Sequence, residues 1–167
     1  MKTIADLHIH SRFSMATSKE GTPENLDFWA RKKGISLIGT GDFTHPVWRE
    51  ELKERLVTEG NGLYHLRDEY VKEESRKFPG EGTHFVVSGE ISSIYKKNGK
   101  TRKVHNVILL PSLEAADAMA QRLEKIGNIH SDGRPILGLD SHDLLEMMLD
   151  VCPVSYTHLT LPTKRIV

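Results

Sequence analysis

The chain is 167 residues long, with 23 basic and 23 acidic side chains and a formal net charge of zero. Apolar residues make up 38% and charged residues 28%, proportions of a globular chain with room for one domain and one core rather than of a disordered one. The balanced charge supplies no global attraction to nucleic acid, so such an interface must come from a local patch. One cysteine, Cys152, leaves no disulfide framework and fits a reducing cytoplasm. Only Ile4 and Ala5 are apolar between Lys2 and Asp6, so no signal peptide is expected. No apolar run approaches the ~18 residues of a membrane span.

In chain order, Ile4, Leu7 and Ile9 fall in a β-favouring run that reads as a buried first strand ending in Asp-Leu-His-Ile-His. A polar loop, Ser11 to Gly21, leads to Thr22–Pro23–Glu24, an N-cap followed by proline at the first helical position. Leu26, Trp29 and Ala30 form the helical stripe, and Gly34 stops it. Ile35 to Ile38 reads as a second strand running into Gly39–Thr40–Gly41–Asp42, and Pro46 starts a helix through about Glu59. Gly60 to Gly82 is polar and ambiguous. Phe85 to Ile94 and Val104 to Leu110 read as strands joined through the turn Asn98–Gly99. Ser112 opens a helix to about Ile126, and Asp140 caps a last one from Leu144 to about Leu149. Strand–helix units, a hairpin and a helix argue for an α/β class with a mainly parallel sheet, open or barrel-like. From about Val154 the chain matches no element that should follow and resembles translated adapter read-through, so 1–153 is taken as the domain and 154–167 as a non-native tail.

Three groups of potential metal ligands stand at the ends of candidate strands. On a strand, His8 and His10 point to the same side, with Asp6 on that face to orient them. Asp42 follows the second strand, with His45 close behind, and Glu90 follows Val86–Val87, with His105 across the hairpin. Strand ends gather at one rim of a parallel sheet, where α/β sites form. Imidazoles suit zinc, manganese and iron, and a carboxylate can bridge two ions that activate water and stabilise a phosphodiester's leaving oxygen. There is no Gly-rich phosphate loop and no Gly-x-Ser-x-Gly elbow to compete. Arg12 is a candidate phosphate clamp, and the basic hairpin from Lys96 to Lys103 is either a solvated turn or a contact to a phosphate backbone. Trp29 and Trp48 read as packing residues rather than base-stacking platforms, and His65, His84, His130 and His142 as surface or capping residues.

The segments Asp6-Leu7-His8-Ile9-His10-Ser11, Gly39-Thr40-Gly41-Asp42, Ser88-Gly89-Glu90-Ile91 and Val104-His105-Asn106 resemble the motifs of the polymerase-and-histidinol-phosphatase (PHP) superfamily. Residues 8–14, 39–42 and 131–138 look most like its endonuclease Q branch. The resemblance covers 1 to about 153 and implies part of a distorted (β/α)7 barrel with two or three divalent metals, zinc first, with manganese or magnesium as alternatives. It implies His8 and His10 on one ion, Glu90 bridging to a second, and His105 on that second ion. Asp42 falls in the second motif with a catalytic role, beside Arg12 as phosphate clamp. Phe43 stands where many relatives carry a histidine, which counts against a third metal, and His45 is the nearest substitute. The implied activity is cleavage of DNA 5′ to deaminated bases or abasic sites, with the lesion extruded from the stack. Further ligand strands and a zinc-binding region would follow Pro153, so an inactive fragment is expected. A phosphatase for a small phosphomonoester and a non-catalytic metal-binding module remain alternatives. Ser11 and Arg12 differ from the threonine common after the second histidine of the phosphatases.

Overall fold

The computed structural model describes residues 3–152 and the backbone of residues 157–159. The elements are β1 (Ala5–Asp6), α1 (Pro23–Lys33), β2 (Leu37–Gly39), α2 (Pro46–Arg55), β3 (Leu56–Thr58), β4 (Leu63–Leu66), β5 (His84–Lys97), β6 (Lys100–Leu110), α3 (Leu113–Glu124), β7 (Ile136–Leu137), α4 (Ser141–Val151) and β8 (Thr157–Leu159). Local signals account for many of the boundaries. Thr22 Oγ1 accepts from Asn25 N, Pro23 opens α1, and Gly34 ends it in the left-handed region at φ 71°. Ser112 and Asp140 cap α3 and α4. Asn98 and Gly99 both have positive φ, as a tight two-residue hairpin turn requires.

The fold is mixed α/β, and β5 organises it. Its first residues pair in parallel with β2, which pairs in parallel with β1. On the other side β4 and then β3 add antiparallel. From Val87 onward β5 changes partner, running antiparallel with β6 to the hairpin tip and taking β7 in parallel at Ser92 and Ser93. The mainly parallel sheet expected from the strand–helix alternation is therefore a mixed one, because β5 continues past the rim into a long hairpin and because the ambiguous segment supplies β4. The helix expected to run to Glu59 ends at Arg55, where Leu56 turns extended and its buried side chain starts β3 opposite Leu66. The first strand is shorter than expected and Ile4 is exposed. Most of the segment 154–167 lies outside the described residues; Thr157–Leu159 pair antiparallel with β6.

Phe85, Val87 and Ile91 of β5, Ile108 of β6, Ala116, Met119 and Leu123 of α3, and Leu144 and Met148 of α4 share one core with Phe43, Trp48 and Leu52. Trp48 packs fully buried, whereas Trp29 is exposed with the Lys32 ammonium 4.6 Å from its ring centroid. Among the described residues no helix is long and apolar enough to cross a membrane.

Candidate metal centre

The three parallel strands deliver their chemistry to one rim. β1 ends just before His8 and His10, β2 just before Asp42, and Glu90 lies beyond Val86, the last β5 residue paired with β2. His105 stands opposite Ser92 on β6, so it is the diagonal neighbour of Glu90 on the same face of the hairpin.

Glu90 is the hub. Its side chain is 3% exposed, its Oε2 lies 2.7 Å from His8 Nε2 and 3.3 Å from His10 Nε2, and its Oε1 is paired with His105 Nδ1. His8 and His10 both reach it although they lie past the last paired residue of β1, with ring centroids 5.6 Å apart and planes at 71°. His8 and His105 are 44% and 43% exposed, so the centre is walled on the protein side and open on the other.

His10 is held from behind. Its Nδ1 pairs with Asp42 Oδ1 at 3.0 Å, and Asp42 Oδ2 accepts from Ser11 N at 2.6 Å and Ser11 Oγ at 2.7 Å. Gly41 and Asp42 both adopt left-handed backbone, at φ 66° and 50°, which turns the Asp42 carboxyl inward. A Cβ at Gly41 would sit 2.5 Å from Ile9 O, so only glycine lets the two segments approach this closely. Trp48 Nε1 donates to Gly41 O at 2.9 Å and ties the turn to the core. Gly133 presses on the far side of Asp42, where an added Cβ would stand 2.4 Å from the carboxyl group.

Burial opposes the Glu90 charge, but hydrogen bonds from His10, His105 and His8 outweigh it and hold the carboxyl well below the usual range. The Asp42 hydrogen bond, followed by that of Glu90, raises His10 to about 9. Both His10 nitrogens then carry protons, one of which a metal ion at Glu90 would displace.

The residues present fit a divalent ion. His8, His10 and Glu90 offer ligand atoms within 4.8 Å of one another, and His105 adjoins the second Glu90 oxygen. Three imidazoles around one buried carboxylate form a mixed nitrogen and oxygen donor set suited to zinc, manganese or iron. Among the described residues His142, Asp143 and Glu146 also cluster, but all three are exposed on the first turns of α4.

No protein-family profile matches the sequence. Over 147 residues the chain is 35% identical to an uncharacterized protein of Methanocaldococcus jannaschii, a match taking in 87% of this chain and 15% of that protein. The lesion-specific endonuclease PfuEndoQ from Pyrococcus furiosus matches in structure with a TM-score of 0.74 and 26% identity, over 95% of this chain and 34% of that one. The chain is similar to endonuclease Q. A second endonuclease Q structure, in complex with a 27-mer duplex substrate carrying an abasic lesion at the active site, matches with a TM-score of 0.68 and 27% identity, over 92% of this chain and 33% of that one. The chain thus spans about a third of these endonuclease Q structures and 15% of the curated relative. The three segments that resembled the endonuclease Q branch in sequence meet in space: His10 bonds Asp42, Gly133 packs on Asp42, and Gly133 N donates to Phe13 O at 3.0 Å.

Of the residues singled out in the sequence, His8, His10, Glu90, His105 and Asp42 converge. Asp42, read there as catalytic, is fully buried with both oxygens engaged, so it positions His10 rather than facing the open side. Arg12, read as a phosphate clamp, instead donates from Nη2 to the buried Glu51 at 2.7 Å and lies over the Phe13 ring. His45 stacks on Phe13 at a 4.2 Å centroid distance as the N-cap of α2 and does not join the cluster, while burial lowers its pKa. Phe43 is fully buried against Gly89. The hairpin's basic residues are exposed at its tip, and Lys97 pairs with Asp140 at 2.6 Å. His65 and His84 pair with Glu59, and His130 with Glu124, at the surface as expected. The residue not singled out is Arg134, whose Nη1 lies 3.8 Å from Glu90 Oε1. The 131–138 segment that contains it carried the resemblance, but no spacing in the sequence links it to Glu90.

Proposed function

We propose that the chain is the amino-terminal part of a metal-dependent DNA repair endonuclease that cleaves the backbone 5′ to deaminated bases or abasic sites. The observation that carries this reading is the convergence of three imidazoles on the buried Glu90 at an open rim, in a chain similar to endonuclease Q. In this reading residues 1–153 supply the first strands of a distorted (β/α)7 PHP barrel, 154–167 are a non-native tail, and further ligands come from a longer natural protein. The protein acts in the cytoplasm, in keeping with its lone, buried cysteine.

His8, His10, Glu90 and His105 hold the metal, zinc by the donor set, with manganese or magnesium as alternatives. Bound ions supply Lewis acidity toward water and the scissile phosphate. The chain's own residues prepare that site. Asp42 accepts a hydrogen bond from His10 Nδ1–H and so leaves Nε2 as the nitrogen that would face the ion beside Glu90, and Ser11 fixes Asp42 in turn. The exposed edges of His8 and His105 leave room for a duplex backbone.

Metal quantification and a cleavage assay test the reading. The chain is expected to bind a divalent ion, and Glu90→Gln to lose it. The protein extended through its missing strands is expected to nick duplexes carrying one deoxyuridine, deoxyinosine or abasic site, and this fragment to show little turnover. Hydrolysis of sugar or amino-alcohol phosphates with no action on DNA would refute the endonuclease reading.

A further inference from the structure

Resting on that reading, we propose that Arg134 grips a phosphate oxygen of the DNA backbone at the metal centre, the role sequence reasoning had placed on Arg12. The two arginines differ in what they already hold. Arg12 is committed to the buried Glu51 carboxylate. The Arg134 side chain is 41% exposed, and its nearest carboxylate oxygen, Glu90 Oε1, is 3.8 Å away, beyond hydrogen-bond reach. Among the described residues its guanidinium donates no hydrogen bond, so its donors stay available at the open side of the hub.

The backbone around Arg134 is built to keep it there. Asp132 Oδ1 accepts from Arg134 N at 2.9 Å, and Thr44 Oγ1 donates to Gly133 O at 3.0 Å. Ser92 N donates to Pro135 O at 3.0 Å, and β7 then joins β5 in parallel at Ser92 and Ser93. Pro135 itself is buried and restricts the backbone of Arg134 to extended conformations. A long cation is thereby anchored at its root, beside Asp42 through Gly133 and beside Ser92 through Pro135. A planar guanidinium in that place matches two oxygens of a phosphodiester, and its charge pairs with the negative charge of the phosphate.

The test uses the zinc-loaded chain, a short fluorescent duplex with one abasic site, and a chelator competition for zinc. Arg134→Gln is expected to keep zinc affinity within about twofold and the wild-type melting temperature. Its duplex affinity should fall at least about tenfold, the range of a lost charge-assisted hydrogen bond. The slope of log affinity against log salt should drop by about one unit, and Arg134→Lys should recover that slope but only part of the affinity. Wild-type duplex affinity and salt slope in Arg134→Gln would overturn the assignment alone. A wild-type chain that takes up zinc but binds the abasic duplex no better than without it would overturn the endonuclease reading and this assignment with it.

Discussion

Replacing Asp42 by asparagine changes one atom, yet it should disarm the metal centre through His10. The Asp42 carboxylate accepts on both oxygens, from His10 Nδ1 at 3.0 Å and from Ser11 N and Oγ at 2.6 and 2.7 Å. Asparagine has one acceptor. If its oxygen stays on Ser11, the amide NH2 faces His10 Nδ1, which must then offer a lone pair, and the imidazole proton moves to Nε2, the atom turned toward Glu90. If the amide flips, two Ser11 donors meet an NH2 group in a fully buried place, at about 1–3 kcal/mol. The first arrangement removes a correctly oriented ligand, which lowers metal affinity roughly 10–100-fold, or about 1.4–2.7 kcal/mol. Zinc competition against a chromophoric chelator at neutral pH reads the affinity, and circular dichroism during heating reads the fold. An Asp42→Asn chain that melts like the wild type and binds zinc within twofold of it would refute the argument that Asp42 sets the His10 tautomer.

Gly133→Ala pushes a methyl group to 2.4 Å from the Asp42 carboxyl, and should destabilise the chain by about 1–3 kcal/mol in urea unfolding; unchanged stability would mean that the 131–138 loop does not press on Asp42. Trp48→Phe leaves Gly41 O without its indole donor, and should cost about 1–3 kcal/mol while weakening metal binding through the turn that carries Asp42. For the metal-free protein the pH dependence has a definite sign. His10 is raised from 6.5 to about 9, so its contribution is complete below pH 6.5 and is lost as pH climbs through 9, a fall of at most about 3 kcal/mol. Glu90 is shifted downward, so its contribution holds above the usual carboxylate range and fades as pH falls below it. Urea midpoints in chelator between pH 6 and 10 check the His10 window, and a flat or rising profile there would contradict it.

Much of the candidate site was legible in the sequence because its parts are local. His-x-His, a glutamate after a β-branched run and a histidine across an Asn-Gly hairpin are short-range patterns, and the caps at Thr22, Gly34, Ser112 and Asp140 follow from backbone donors and acceptors that any helix end must satisfy. What needed the tertiary structure were pairings between distant segments. The exchange of β5 from β2 and β4 to β6, the strand hidden in the polar stretch as β4, and the end of α2 at Arg55 all depend on edges that a single segment does not contain. The roles within the site divide the same way. The sequence by itself determined which side chains could ligate a metal, since that is a property of residue type and strand phase. Only the tertiary structure decided that Asp42 is sealed behind His10, that Arg12 is spent on Glu51, and that Arg134 stands beside Glu90, because burial and proximity are set by where separate chain segments pack.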